Sequence, residues 1–293
     1  MSKHTIVALF LTGAAAVAQQ APKLEWVGCG IAKKAFMTSL AEGYEKHCGV
    51  RISLAGGGAT RGIRDVAAGK ADLGGTCRHK LDRPDEADAV LHPVGWDAIV
   101  VVVHPDNPIQ SISFGDLKKV LTGAVTNWQQ LGGEDHAIDV FARKSKTSGV
   151  GLMARELIFW NPDFEFAGAT RTFRSSGPLE LALEKSPHAL GLTGVSSAHK
   201  RKLKMLQVNG KAPDAKNIMT GAYPVVRPLY LVSNKKASAA VKQFVAWTLK
   251  DGQKLIQKEG TVTAAEGRKL WVKYNKLMKG IRTRQRAAAK PGK

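Results

Sequence analysis

Acidic residues are scarce in this chain relative to basic ones. Its 24 Asp and Glu face 44 Lys and Arg, a formal charge of +20 over 293 residues. Hydrolase signatures are missing: there is no G-x-S-x-G turn, no H-E-x-x-H, and no close group of His, Asp and Glu at metal-ligand spacing. Such an enzyme, for example a secreted phosphatase, remains only a remote alternative, and no catalytic residue, metal or cofactor is expected. Cysteine is limited to Cys29, Cys48 and Cys77. None lies in C-x-x-C or C-x-x-C-H, which excludes a zinc knuckle or covalent haem, and the odd count leaves one thiol free or paired outside the chain. Aromatics make up 6% of the chain and are not interleaved with basic runs. Without RNA-recognition signatures, no nucleic acid partner is expected. The charge then points to an acidic surface or to a small anion drawn into a cleft. Past residue 20, no apolar run reaches the roughly 20 residues of a membrane helix.

Residues 1–20 read as a signal peptide. Lys3 and His4 give a basic start, Ile6 to Ala18 is apolar, and Ala16-Val17-Ala18 supplies small residues before Gln19. The expected location is the periplasm of a Gram-negative cell, an oxidising compartment. At the other end, Arg268 to Lys293 carries ten Lys/Arg and no acid. Residues 281–293 are expected to be a basic disordered tail.

The stretch Ser53–Ile63 sets the pattern for the rest. A β-rich run through Leu54 meets Gly56, Gly57 and Gly58, and Thr60-Arg61-Gly62-Ile63 then opens an amphipathic segment ending at Gly69. Strand, glycine turn and helix start together aim backbone N–H groups at an anion, or else simply form a tight turn. The spacing is neither a P-loop nor G-x-G-x-x-G. Leu24–Val27 ends at Gly28-Cys29-Gly30, and Ala71–Leu73 runs to Thr76-Cys77. Three strands therefore end in small or polar residues, as in parallel α/β sheets that bind ligands at strand carboxyl ends. Ile138–Phe141 leads into Arg143-Lys144-Ser145-Lys146-Thr147-Ser148-Gly149 and a helix from Val150 to Trp160. Arg143 brings a planar fork suited to a tetrahedral oxyanion. Ala98–Val103 and Tyr223–Val232 are long apolar strands, the second interrupted by Pro224 and Pro228. A helix is expected from Ala237 to Lys258.

In this order the pieces resemble the PstS-like substrate-binding proteins of phosphate ABC transporters, over roughly residues 24–262. Gly56–Ile63 with Ala71-Asp72-Leu73-Gly74 is similar to the family's G-G-S-G-x-G-I … A-D-I-G. Phe114–Trp128, ending L-T-G-A-V-T-N-W, is the most specific match. Arg143–Gly149 resembles the anion loop, and Tyr223-Pro224, Phe244–Trp247 and Gly252-Gln253 resemble later markers. The resemblance implies an α/β, two-lobed periplasmic-binding-protein fold of the type II, Venus-flytrap kind with two crossover strands. Lobe one would hold 24–103 plus 223–280, and lobe two 104–222.

It also implies capture of a small oxyanion, phosphate first, between the lobes. The ligand residues would be Cys29, Gly30, Ile31, Gly58, Ala59, Thr60, Arg61, Gly62, Thr76, Cys77, Arg143, Ser145, Thr147, Ser148 and Gly149. The partners would be that oxyanion and an ABC transporter permease or a membrane sensor, with the protein a monomer. Several departures stand out. Cys29, Gly30 and Ile31 replace the family's first-loop hydroxyls, Ala59 its second-loop Ser, and Cys77 the Asp that accepts the proton of hydrogen phosphate. An arsenite-type thiophilic ligand on Cys29 and Cys77 is the alternative, alongside a Cys29–Cys77 disulfide or inert small residues.

Overall fold

The computed structural model describes residues 23–288. The expected signal segment lies outside them. Twelve strands are present among the described residues: β1 (Lys23–Gly28), β2 (Arg51–Gly56), β3 (Leu73–Thr76), β4 (Ala89–Val103), β5 (Ser111–Ile112), β6 (Asp139–Arg143), β7 (Ala169–Phe173), β8 (Ala189–Gly194), β9 (Lys204–Met205), β10 (Gln207–Val208), β11 (Val226–Asn234) and β12 (Val262–Thr263). The α-helices are α1 (Gly30–Ala32), α2 (Thr38–Cys48), α3 (Gly58–Ala67), α4 (Phe114–Thr122), α5 (Gly149–Phe159), α6 (Ser176–Leu183), α7 (Val195–Ala198), α8 (Ala215–Thr220), α9 (Ala239–Leu249), α10 (Gln253–Lys258) and α11 (Leu270–Ala288). A π-helical turn, Lys33–Met37, joins α1 to α2.

The main sheet runs β2-β1-β3-β11-β4-β8-β6-β7. β1, β2 and β3 are mutually parallel, as are β6, β7 and β8. Helices cover both sets, so the two α/β halves share one strand. That strand is β4, 15 residues long. Its first part, Ala89 to Ala98, pairs antiparallel with β11. Its second part, Ile99 to Val103, pairs with β8. Ile-Val-Val-Val-Val is buried on both faces, where β-branched side chains pack well. Of the two prolines that seemed to interrupt this region, Pro224 precedes β11, and Pro228 sits beside a register shift at Leu229/Tyr230, where an irregular ladder tolerates a missing N–H.

At the passage from one half to the other, Arg227 of β11 stands opposite Asp97 of β4. Arg227 Nη2 donates to Asp97 Oδ2 over 2.8 Å, and both side chains are fully buried. The second carboxylate oxygen accepts from the Ser196 backbone N–H (3.1 Å) and hydroxyl (2.9 Å) on α7. Tyr223 OH donates to the Ile99 carbonyl over 3.2 Å. One buried ion pair thus ties both antiparallel strands to the second half.

Two expectations are corrected. The Ala237–Lys258 helix is split into α9 and α10: the backbone leaves helical geometry at Lys250 (φ −114, ψ −90), and Gly252 then folds back on Thr248 so closely that a Cβ would lie 2.8 Å from Thr248 Cα. The tail expected to be disordered from residue 281 is helical through Ala288. Leu270, Tyr274, Met278 and Ile281 form its buried stripe. Trp271 packs on Trp96 (centroids 4.7 Å apart), and Arg284 lies over the Trp160 ring at 4.7 Å. The helix therefore reaches from the first half to the second.

Asp97→Ala leaves Arg227 buried without its counter-charge. It is expected to cost about 3–5 kcal/mol in urea unfolding, whereas the double change Asp97→Leu/Arg227→Leu costs much less. Equal losses would mean that the pair is not what holds this junction.

Candidate anion-binding cleft

The first wall is the turn between β2 and α3. Gly58 opens α3 with φ +89, a conformation that a side chain disfavours. Gly62, one turn on, lies so close to the sheet that a Cβ would sit 2.6 Å from the Gly75 carbonyl. These two glycines let α3 pack tightly on β1 and β3 with its N-terminus toward the second half. There Thr60 Oγ1 donates to the Thr147 carbonyl over 2.8 Å.

The opposing wall is the turn from β6 into α5. Ser148 caps α5: its hydroxyl accepts from the Gly151 N–H (3.1 Å) and donates to the Ser145 carbonyl (2.9 Å). Gly149, the first residue of α5, faces Cys77 and Ala59 of the first half, and a Cβ there would overlap Cys77 Sγ. The two helix tips are thus in contact, with the halves closed on each other.

Arg143 lies behind this contact, buried at the end of β6. Its Nη1 donates to Ser176 Oγ (2.9 Å), Nε to the Phe173 carbonyl (3.3 Å) and Nη2 to the Arg174 carbonyl. All three acceptors are neutral, and no carboxylate of the described residues pairs with it. Burial lowers its pKa, opposed by the nearby thiols and Glu180. Arg227 supplies a second guanidinium whose charge acts on Cys77 and Cys29, and its buried Nη1 has no hydrogen-bond partner among the described residues.

Between these cations lies the thiol pair. Cys29 caps α1 by accepting the Ala32 N–H (3.3 Å), and its Sγ is 3.4 Å from Cys77 Sγ. Both are buried and free; Cys48 is exposed, donating to the Tyr44 carbonyl. The pair shares its ionisation. The hydrogen bond from Cys29 stabilises a Cys77 thiolate; burial opposes this, Arg227 and Arg143 assist, and Asp97 opposes. The net effect lowers Cys77 to about 7. Cys29, as the donor and under burial, is raised well above its ordinary value.

Of the residues named from sequence, Cys29, Cys77, Ala59, Thr60, Thr147, Ser148 and Gly149 meet at this seam, with Arg143 behind it. Ile31 is buried beside Gly194. Gly30 is exposed, with open space around it. Thr76 is occupied within its own turn, its hydroxyl bonded to the Arg78 N–H and carbonyl. Ser145 is exposed and bonded to the Thr147 hydroxyl (3.1 Å). Arg61 is a correction. It is exposed, its Nε pairs with Asp65 at 2.7 Å, and Nη1 reaches the Gly56 carbonyl, because an i,i+4 acid on its own helix lies nearer than the cleft.

Sequence reasoning missed Arg227, Asp97, Ser176 and Glu180. Glu180 is fully buried, pairing with Lys34 of the first half (3.3 Å) and Arg201 (3.2 Å) and accepting from Thr193 (2.6 Å). The available signal was a lone charge in an apolar strand: Arg227 in Val225-Val226-Arg227-Pro228-Leu229, and Asp97 directly before Ala98–Val103.

Residues 27–251 match the family model described as PBP superfamily domain. The chain belongs to the PBP superfamily. A phosphate-binding protein PstS of Bacillus subtilis (strain 168) is 26% identical over 196 residues, 66% of this chain and 64% of that protein. The chain thus spans less than two thirds of that relative's length. Among solved structures, a Clostridium perfringens protein with bound phosphate superposes with a TM-score of 0.74 at 22% identity, covering 82% of this chain and 99% of the other. An ABC-type phosphate transport receptor from Vibrio cholerae gives 0.63 at 24% identity, with 82% and 99% covered. These likenesses establish the two-lobed binding-protein fold for this PBP member. No helix among the described residues is long and apolar enough to cross a membrane.

Cys77 holds its proton less tightly folded than its ordinary 9.0. Its contribution to stability is therefore present above that value and is lost as pH falls through about 7. Cys29, held protonated, acts oppositely only at higher pH. In urea unfolding of the reduced protein, the stability of wild type relative to Cys77→Ser is expected to grow from pH 6 to pH 8. A difference independent of pH would refute the acidified thiol.

Proposed function

We propose that this chain captures a small oxyanion, phosphate first, between its two lobes and presents it to an ABC transporter permease after export to the periplasm. It acts as a monomeric binding protein, not an enzyme. The observation that carries the reading is the pair of buried guanidinia at the seam. Among the described residues Arg143 has no carboxylate partner, and Arg227 Nη1 has no acceptor. Arg143, buried without a counter-charge, is stabilised by an anion arriving beside it, while Arg227, already paired with Asp97, offers only its spare Nη1 donor. The N-termini of α3 and α5 add partial positive charge from two directions. The phosphate-binding names of the relatives point the same way.

Flexing where β4 passes from one half to the other would open the seam. Closure is held by small contacts: Thr60 to Thr147, Lys34 to Glu180, and His79 to Glu156 at 2.9 Å. Each is a modest bond, so an anion that bridges both helix tips shifts the balance toward the closed form. Hydrogen bonds to charged groups contribute about 1.5–3 kcal/mol each, and four or five suffice for about micromolar affinity after association costs. With Cys77 where the resemblance places an acceptor carboxylate, the site demands a protonated ligand less strongly. Fully ionised tetrahedral anions are therefore admissible alongside phosphate.

Isothermal calorimetry is expected to show phosphate binding that Arg143→Ala weakens at least about a hundredfold, the loss of two charge-assisted bonds. A thermal-shift panel of phosphate, arsenate, sulfate, molybdate and arsenite ranks the ligands. Undiminished binding by Arg143→Ala would remove the site assignment. A shift with arsenite alone would move the reading to a thiophilic ligand.

A further inference from the structure

We propose that Cys29 and Cys77 form a reversible dithiol–disulfide couple whose state sets how strongly the cleft holds an anion. Its binding arm rests on the oxyanion reading above. The sulfurs are 3.4 Å apart, unbonded, on the adjacent strand ends of β1 and β3. Bond formation requires them to approach by about 1.4 Å, to the ordinary S–S length of about 2.05 Å. Cys77 Sγ is also the atom against which Gly149 of the other half packs. A covalent change there acts directly on the seam between the lobes.

The chemistry needs an oxidising disulfide, either a protein disulfide or a small one such as glutathione disulfide. With the lobes apart, the Cys77 thiolate attacks one sulfur of that disulfide, forming a mixed disulfide and releasing a thiolate. The Cys29 thiol gives its proton to the released thiolate and attacks Cys77 Sγ, expelling a second thiolate that takes a proton from water. Two protein thiols become one disulfide, and the incoming disulfide becomes two thiols. Cys77 is the better first nucleophile because the Cys29 hydrogen bond and the charges of Arg227 and Arg143 stabilise its thiolate, against burial and Asp97. Of these four groups Cys29 follows the end of β1, while Arg227, Arg143 and Asp97 lie on β11, β6 and β4.

The consequence for binding follows from charge. The reduced pair, once ionised, places a negative sulfur among the donors that serve the ligand, and like charges repel. The disulfide carries no charge at any pH and cannot ionise. Reduced and oxidised protein should therefore bind alike in acid and diverge above neutrality.

The test oxidises the full chain with glutathione disulfide, digests it without reduction and maps the linked peptides. Phosphate affinity is then measured by calorimetry on both states at pH 6 and pH 8. The expected results are a peptide linking Cys29 to Cys77, with Cys48 outside the link, and near-equal affinities at pH 6. At pH 8 the oxidised form should bind about tenfold more tightly, one decade per pH unit above the thiol's titration. Cys77→Ser should bind identically before and after oxidant, and Cys48→Ser should behave as wild type. Absence of the linked peptide overturns the couple, as do equal affinities of the two states at pH 8. If neither state binds phosphate or any anion of the panel, the oxyanion reading fails. The couple is then judged on the linked peptide and on a melting-temperature difference between the two states, and falls without both.

Discussion

The ion pair of Asp97 with Arg227 is the constraint on which the other features depend. It joins the two strands that carry the chain between halves, and through Ser196 it ties them to the lobe beyond. It also fixes the position of the Arg227 guanidinium, one edge of which is engaged by Asp97 while Nη1 finds no partner among the described residues. A buried charge pair adds little net stability compared with an apolar substitute. Its value here lies in where it holds a cation, beside the thiols at the seam.

The cleft differs in kind from one built on hydroxyls and a carboxylate. Two guanidinia, two helix N-termini and a dithiol meet at the seam, with the Asp97 carboxylate held on Arg227 and Glu180 acting on Arg143 from further off. On the oxyanion reading proposed above, such a seam would select charge and tetrahedral shape more than protonation state. The overall charge of +20 acts at longer range, raising the local concentration of anions around the protein in a salt-dependent way. Much of that excess lies along α11, which packs Trp271 and Tyr274 against one half and reaches Trp160 of the other. The basic C-terminal segment is thus also a structural strap.

The sequence was most legible where local chemistry and global fold agree. Gly56-Gly57-Gly58 announced the turn into α3, and Ser148 before an apolar helix announced the cap of α5. Ala98–Val103 read as a buried strand because every residue is apolar. Its preceding portion did not, since His92, Pro93, Gly95 and Asp97 break the pattern, and only pairing with β11 makes them strand. Arg227 was hidden for a related reason: its partner is 130 positions away in sequence. Residues 281–288 looked like a solvated tail because Gly280 and the surrounding Lys and Arg resemble one. Their order comes from Ile281 in the buried stripe and Arg284 on Trp160, contacts that periodicity alone does not show. Arg61 was read toward the cleft from its place in the glycine turn, but Asp65 one turn away claims it.

The most direct measurement is diffraction from crystals grown with a heavy tetrahedral oxyanion such as tungstate, located by its anomalous signal. The account predicts one strong site between the α3 and α5 N-termini, within hydrogen-bond reach of Arg143. A signal only elsewhere on the surface, with the seam between Thr60 and Thr147 unchanged, would contradict it.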